Sequence, residues 1–133
     1  MIVLDASVMI AHMVGGDAHA ERAFEILDTE DELMLHPMTA AESLVGPVRV
    51  GREAEALAVL TRLGVERHVP ADDEPVELAR LRAETGLRLP GCCVLAAALV
   101  EGASLATFDT RLARAARERG VDVIGADEEP AAG

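Results

Sequence analysis

The chain has 133 residues, of which half are apolar and only 2% are aromatic, and its formal net charge is −12. This length corresponds to one domain that can bury a core, and the core must be built mainly from Ala, Leu and Val because Trp and Tyr are absent. The acidic balance argues against non-specific nucleic-acid binding through a broad basic face, but it is compatible with a nucleic-acid enzyme that has an acidic metal pocket.

The first ten residues are typical of a strand followed by a helix. Residues 2–4 form a short apolar run, which predicts a buried strand, and Asp5 follows it directly. Ser7 has the position of an N-cap for a helix that begins at Val8. A carboxylate between a buried strand and a helix is typical of the ligand crevice of an open α/β sheet. The alternative is that Asp5 serves only the turn.

Helical and strand patterns alternate along the rest of the chain. We predict further strands at 33–36, 65–69, 104–108 and 121–124, and helices at 8–14, 18–27, 39–45, 53–63, 75–84, 92–100 and 110–119. Gly46 and Pro47 are expected to break or kink the third of these helices. The alternation predicts a mainly parallel sheet with helices on both faces. We expect a single domain over residues 1–125 and an acidic, frayed tail over residues 126–133.

Three carboxylates fall at the expected carboxyl edge of this sheet. Asp5 follows the first strand, Glu42 lies in the first turn of the helix after the second strand, and Asp109 follows a later strand. Glu42 also has capping-box spacing from Thr39, and Asp109 has the position of a helix N-cap, so each has a structural alternative. Because clustered carboxylates repel one another, we expect a cation among them. Oxygen ligands alone favour Mg²⁺ or Mn²⁺, which can activate water for phosphodiester hydrolysis.

The sequence resembles PIN-domain nucleases, specifically the VapC-type toxins of bacterial toxin–antitoxin pairs. The resemblance covers nearly the whole chain, and its matching stretches are VLDASV at 3–8, TAAESLVGP at 39–47, TGLRLP at 85–90, and ATFD at 106–109 followed by RL at 111–112. The resemblance implies a three-layer α/β/α sandwich and divalent-metal-dependent cleavage of RNA. It also implies inhibition by a small antitoxin that covers the active site.

The resemblance further assigns roles to individual residues. Three acids of the family's metal site are matched by Asp5, Glu42 and Asp109. Two polar neighbours that support those acids are matched by Ser7 and Thr107.

One position departs from the family pattern. An Asp normally follows Leu-Pro at the start of a helix, and here Gly91 takes its place. No nearby acid can replace it, because Glu84 is a helical turn or more upstream and Glu101 is at the far end of the helix. We therefore expect weakened metal binding and catalysis, with an unchanged fold.

Other polar residues give weaker signals. Arg111 and Arg114 share part of one predicted helix near Asp109, so they are candidates for RNA phosphate contacts, although a solvated face is the alternative. The four histidines are scattered without metal-ligand spacing and are interpreted as ordinary surface or satisfied side chains. The adjacent cysteines, Cys92 and Cys93, have neither zinc nor disulfide spacing and are expected to be buried thiols of a cytoplasmic protein.

We also expect association with other chains and no membrane span. Similar toxins form homodimers and pair with an antitoxin, which is what the resemblance implies here. Met9, Met13 and Val14 near the end of the first helix are expected to form an exposed apolar patch, the alternative being that all three belong to the core. The longest apolar run is too short to cross a bilayer.

Three functional hypotheses remain open from the sequence. The first is a metal-dependent ribonuclease toxin. The second is a protein of the same fold that keeps antitoxin or RNA binding but has lost turnover. The third is an unrelated α/β module such as a phospho-acceptor domain. The chain contains no Lys, and Asp5 is a single acid where such a domain needs an acidic pair, so both features argue against the third hypothesis.

Overall fold

The computed structural model describes residues 1–126. Its centre is a five-stranded sheet in which all four strand pairings are parallel. The strands are β1 (Ile2–Leu4), β2 (Leu33–Leu35), β3 (Glu66–Arg67), β4 (Ser104–Thr107) and β5 (Val123–Gly125). The helices are α1 (Ala6–Met13), α2 (Ala20–Leu27), α3 (Pro37–Arg49), α4 (Glu53–Leu63), α5 (Glu74–Thr85), α6 (Leu89–Glu101) and α7 (Thr110–Glu118). The parallel sheet expected from the alternating pattern is confirmed.

The sheet separates two hydrophobic cores. Val3 and Leu105 belong to one core, together with buried side chains of α5, α6 and α7. Leu4 and Ala106 belong to the other, together with buried side chains of α1 and α2. Successive residues of a strand face opposite sides, and helices cover both sides, which explains why these strands are continuous apolar runs in the sequence. The architecture is therefore the predicted α/β/α sandwich.

The strand order places β1 in the middle of the sheet. The order is β3-β2-β1-β4-β5, so the chain first moves outward on one side of β1 and then returns to its other side. Leu4 is paired with Ala106, and the residues that follow β1 and β4 consequently lie side by side. In open α/β sheets, ligand crevices form where the strand order reverses, beyond the carboxyl ends of the strands. Asp5 and Asp109 both lie at this point.

Helix α3 is longer and more continuous than the sequence indicates. It begins at Pro37 because the ring of His36 caps it, with Nδ1 accepting a hydrogen bond of 3.0 Å from the N–H of Met38. The predicted break at Gly46 and Pro47 is wrong, since the helix continues to Arg49. Pro47 lies in the last turns, and its carbonyl accepts hydrogen bonds from the residues that follow the helix. Only the internal N–H of Pro47 is lost, and the helix tolerates this loss near its end.

Helix α6 forms much of the core. All seven residues from Cys92 to Ala98 are buried, so both cysteines are buried free thiols, as predicted. Burial, with smaller contributions from nearby acidic groups, raises the pKa of Cys93 to about 11, and its thiol stays protonated at neutral pH. No single helix within residues 1–126 is long and apolar enough to span a bilayer, and α5 and α6 reach that length only as a pair bent by 112°.

The described chain ends against β4. Ala126 is buried, and its N–H donates a hydrogen bond of 2.8 Å to the carbonyl of Thr107. Gly125 has a positive φ of 110°, and a Cβ at this position would lie 2.5 Å from the same carbonyl, so only glycine fits there. The remainder of the predicted tail, residues 127–133, lies outside the described residues.

Candidate active site

Asp5 is held in a fixed orientation at the end of β1. Its N–H donates to the carbonyl of Ala106 at 2.9 Å, which continues the pairing between β1 and β4. Only 9% of the residue is exposed. Carboxylate Oδ2 accepts hydrogen bonds of 2.7 Å from Ser7 Oγ and of 2.7 Å from Thr107 Oγ1. Two hydroxyl donors therefore satisfy one buried oxygen, and the other oxygen makes no hydrogen bond within the described part of the chain.

Ser7 and Thr107 connect this carboxylate to the chain that follows β4. The hydroxyl of Ser7 accepts the N–H of Phe108 at 3.0 Å, and that of Thr107 accepts the N–H of Asp109 at 2.9 Å. The prediction that Ser7 caps a helix starting at Val8 is wrong. Helix α1 begins at Ala6 and has Asp5 at its cap position, without a side-chain cap. Ser7 instead bonds across the sheet, because its side chain faces β4 and not the free N–H groups of α1.

Asp109 caps a helix and also lines the cavity of Asp5. Its Oδ1 accepts the N–H of Arg111 at 2.9 Å and the N–H of Leu112 at 3.2 Å, so it is the N-cap of α7. It also lines the same cavity as Asp5. One oxygen is thus used by the helix, while the other is not engaged by any residue between positions 1 and 126.

Glu42 faces the same cavity from α3. Its capping-box alternative is wrong, since Thr39 Oγ1 is buried and has no hydrogen-bond partner among the described residues, and His36 caps the helix instead. Burial raises the pKa of Glu42 above its ordinary value of 4.5, and the charge of Asp5 raises it further, whereas the charge of Arg88 lowers it. The raised pKa therefore reflects first the burial of Glu42 and second the nearby charge of Asp5.

This raised pKa gives a testable dependence of stability on pH. Glu42 binds its proton more tightly in the folded state than in the unfolded chain. Protonation of Glu42 therefore stabilises the fold fully below pH 4.5, and this stabilisation is lost as the pH rises through the pKa of the folded state. Glu42→Gln is therefore expected to raise the thermal midpoint of the metal-free protein at neutral pH, and the gain should vanish in acid. Glu32→Gln, at an exposed loop position, is the matched control. An equal gain in the control would show a general charge effect and contradict the expectation.

The cavity between these acids has a volume of about 340 Å³. It is lined by Asp5, Ala6, Ser7, Ile10, Glu42, Leu87, Arg88, Pro90, Gly91, Asp109, Arg111 and Leu112. The three carboxylates predicted from separate parts of the sequence thus meet at one place, and Gly91 lies beside them. A Cβ at Gly91 would meet only the Cβ of Leu87, at 3.9 Å, so the position has room for a side chain.

The arginines of this region differ in their relation to the cavity. Arg111 lines it, whereas Arg114, on the same helix, is not among the lining residues. Sequence reasoning missed Arg88, whose charge acts on Glu42. A signal for Arg88 was present, because it lies in the TGLRLP stretch immediately before the helix that carries Gly91.

The donor atoms of the cavity fit a hard divalent cation that keeps part of its water shell. The available ligands are carboxylate oxygens, which such ions prefer. No group of three or more His, Cys, Asp or Glu side chains within residues 1–126 is arranged to hold one ion together. An ion bound there would therefore have to keep several of its waters, as Mg²⁺ commonly does in proteins.

A larger cavity of about 600 Å³ adjoins the acidic one, and its walls are mainly apolar. It lies between α1, α3 and α4, and Ile10 and Glu42 line both cavities. Met13 and Val14 line this cavity, but the prediction that Met9 belongs to an exposed patch is wrong, because Met9 is fully buried. The side chain of Met9 faces the core of α1 and α2.

Two histidines are buried and paired with carboxylates. His36 Nε2 lies 3.1 Å from both oxygens of Glu74, and His68 Nδ1 lies 2.8 Å from Glu101 Oε2. The two ring centroids are 5.7 Å apart. These are satisfied histidines of the kind expected from the sequence, although their proximity to each other was not foreseen.

Comparison with solved structures shows the same fold. A toxin–antitoxin complex from Klebsiella pneumoniae has a chain that is 22% identical, with a TM-score of 0.70 over 85% of this chain and 90% of that chain. VapBC2 from Rickettsia felis, bound to a DNA fragment from its promoter, is 16% identical, with a TM-score of 0.69 over 94% of this chain and 98% of that chain. FitAcB from Neisseria gonorrhoeae is 20% identical, with a TM-score of 0.70 over 94% and 97% of the two chains.

Sequence comparison gives the family directly. No curated protein matches the sequence significantly. The profile of the PIN domain, however, matches residues 2–118, which is most of the chain. The acids gathered beyond β1 and β4 lie in this matched region. The chain therefore belongs to the PIN-domain family, whose members are generally nucleases that use divalent metal ions.

Proposed function

We propose that this protein is a divalent-metal-dependent endoribonuclease and the toxin of a toxin–antitoxin pair, with activity weakened by Gly91. The observation that carries the proposal is the meeting of Asp5, Glu42 and Asp109 in one cavity at the point where the strand order reverses. Membership of the PIN-domain family supports the same reading.

In this proposal, some residues of the cavity bind the metal ion and others orient the metal ligands. Asp5, Glu42 and Asp109 would hold Mg²⁺ or Mn²⁺, in part through its bound waters, and the ion when bound would activate water and stabilise the leaving oxygen in phosphodiester hydrolysis. Ser7 and Thr107 fix the Asp5 carboxylate by donating to one of its oxygens. This leaves the second oxygen of Asp5 as the ligand. Orientation of this kind typically changes metal affinity or activity by about 10–100-fold.

The remaining residues act on the substrate and on the charge of the cavity. Arg111 lines the cavity and would contact an RNA phosphate there. Arg114 does not line the cavity and would contact a phosphate outside it. Burial is the main cause of the raised pKa of Glu42 and the charge of Asp5 is the second. A cation in the cavity would offset the charge of Asp5 and favour the ionised form of Glu42.

Two observations favour a second function. Gly91 supplies no carboxylate where the family pattern has an Asp, and no three-acid group is arranged to hold an ion within the described chain. The second candidate is therefore a PIN-fold protein that binds its antitoxin or RNA without appreciable turnover. Cleavage measurements separate the two candidates.

The partners we propose follow from the comparisons and the surface. Among the similar structures, one is described as a toxin–antitoxin complex, and the apolar cavity beside Glu42 offers a surface on which an antitoxin could cover the acids. Val48, which is exposed outside that cavity, is a candidate contact for a homodimer. We place the protein in the cytoplasm, where RNA is present and free thiols stay reduced.

The proposal is tested with the variant Asp5→Asn. Asn keeps an oxygen that accepts the two hydroxyls but removes the charge and weakens the ligand. Wild-type protein is expected to cleave RNA in Mn²⁺ or Mg²⁺ and to stop in EDTA. Asp5→Asn should lose at least about 100-fold in rate and bind Mn²⁺ more weakly in calorimetric titration.

Asp122→Asn is the matched control, because Asp122 is exposed and does not line the cavity. Cleavage that persists in EDTA, or equal rates for the wild type and Asp5→Asn, would overturn the assignment of the site. A wild type that binds RNA but does not cleave it would establish the second candidate instead.

A further inference from the structure

The arginines fall into two groups according to their partners. All twelve basic residues are arginine. Six of them donate to carboxylates or backbone carbonyls; these are Arg22, Arg52, Arg80, Arg82, Arg117 and Arg119. Of the other six, whose side chains have no hydrogen bond or ion pair within residues 1–126, two line the acidic cavity, and these are Arg88 and Arg111. Unpaired guanidinium groups therefore stand beside the acids.

Arg88 is held at the cavity by its backbone. It occupies the cap position of α6 with extended angles of φ −67° and ψ 155°, so it stands outside the helix while its carbonyl accepts the N–H of Cys92 at 3.1 Å. Its side chain is exposed and forms no ion pair with Glu42, although its charge acts on that carboxylate. The guanidinium is close enough to influence the acids but remains free to bind another group.

The charge balance of the cavity indicates which group this is. Three carboxylates and two arginines line this cavity, in a chain whose net charge of −12 disfavours binding of a polyanion overall. With Gly91 in place of an acid, the cavity carries one negative charge less than the family pattern. Arg is suited to phosphate because its planar fork presents paired donors. The rim of the acidic cavity is therefore the place where a phosphate backbone meets unpaired arginines.

We propose that Arg88, together with Arg111, holds a phosphate of the RNA backbone at the mouth of the cavity, and that this contact forms without a divalent cation. The inference rests on the proposed function, since it takes RNA as the substrate, but it assigns a phosphate-contacting residue that neither the sequence nor the family match identifies. The alternative is a purely structural role in which Arg88 only offsets the charge of Glu42.

The test measures binding of a fluorescently labelled single-stranded RNA by anisotropy, in EDTA, over a series of salt concentrations. Each phosphate contact contributes about 0.7 to the slope of log K against log salt for single strands. Arg88→Ala is expected to lower affinity by on the order of tenfold at low salt and to reduce that slope by about 0.7. Arg88→Lys should keep the slope, because the charge remains, while binding more weakly.

Arg62→Ala is the matched control, because Arg62 is exposed on α4, has no partner within the described chain and does not line the cavity. If Arg88→Ala and Arg62→Ala give the same affinity and slope, the inference is overturned. A wild type that does not bind RNA in EDTA also overturns it, yet metal-dependent cleavage would still uphold the proposed function. RNA binding that depends on Arg88, without cleavage in Mn²⁺ or Mg²⁺, supports the inference but contradicts the proposed nuclease activity.

Discussion

Gly91→Asp is expected to raise the rate of Mn²⁺- or Mg²⁺-dependent RNA cleavage by at least about tenfold. The substitution places a carboxylate in the first turn of α6, beside a cavity that already contains Asp5 and Glu42. The new side chain has room, since its Cβ would meet only Leu87, at 3.9 Å. A further oxygen ligand would fix the cation and its nucleophilic water more firmly than bulk water does.

The same substitution has two opposing effects on the metal-free protein. A carboxylate near the N-terminus of α6 is favourable by a few tenths of a kcal/mol or more, whereas its repulsion from the three existing acids is unfavourable. We expect the metal-free variant to be slightly less stable than the wild type and to gain more from added Mn²⁺ in thermal melts. Gly15→Asp is the control, because Gly15 is also unobstructed but does not line the cavity. Brisk cleavage by the wild type, with no gain in Gly91→Asp, would show that the position is not part of the metal site.

Thr107→Val is expected to reduce both stability and metal affinity. The Thr107 hydroxyl is fully buried, donates to Asp5 and accepts the N–H of Asp109. Its loss leaves that N–H unpaired and should cost about 1–3 kcal/mol of unfolding free energy, measured by urea denaturation. It also removes one of the two donors that orient Asp5, so we expect Mn²⁺ affinity to fall by about 10–100-fold.

The control for this variant is Thr61→Val, whose hydroxyl donates only to a carbonyl of its own helix on the exposed side of α4. Its effect on unfolding free energy should stay within about 0.5 kcal/mol. An equal loss of stability in the two variants, with unchanged Mn²⁺ binding, would mean that Thr107 contributes packing and does not position Asp5.

The fold was predictable because its signals are local. Apolar runs such as residues 2–4 mark strands buried on both faces, and Gly64, Gly86 and Gly102 end three helices in the left-handed conformation. The predictions were wrong where a contact between residues distant in sequence determines the position of a side chain. Ser7 was assigned to a cap because serine favours that position, but it bonds to the chain after β4.

The site was predictable only in part, for the same reason. Acids that follow parallel strands must lie at one edge of the sheet, so the strand pattern places Asp5 and Asp109 at the same edge. Their proximity also depends on β1 and β4 being neighbours, which the pattern does not show. A role for Arg88 did not follow from the sequence, because an arginine before a helix is ordinarily solvated. The TGLRLP stretch that contains Arg88 does not by itself show that this side chain lines the cavity. The pairing of His36 with His68 depends on β2 and β3 being neighbours, which no local pattern shows.

The two cavities share Ile10 and Glu42, and this sharing links whatever binds in them. A molecule in the apolar cavity touches Glu42 from one side, and anything held among the acids touches it from the other. Thermodynamic reciprocity then requires that each ligand change the affinity of the other by the same factor. A partner that occupied the apolar cavity and weakened cation binding would itself bind less tightly once the cation was present. Through Glu42, the cation concentration would therefore change the equilibrium affinity of a partner in the neighbouring cavity.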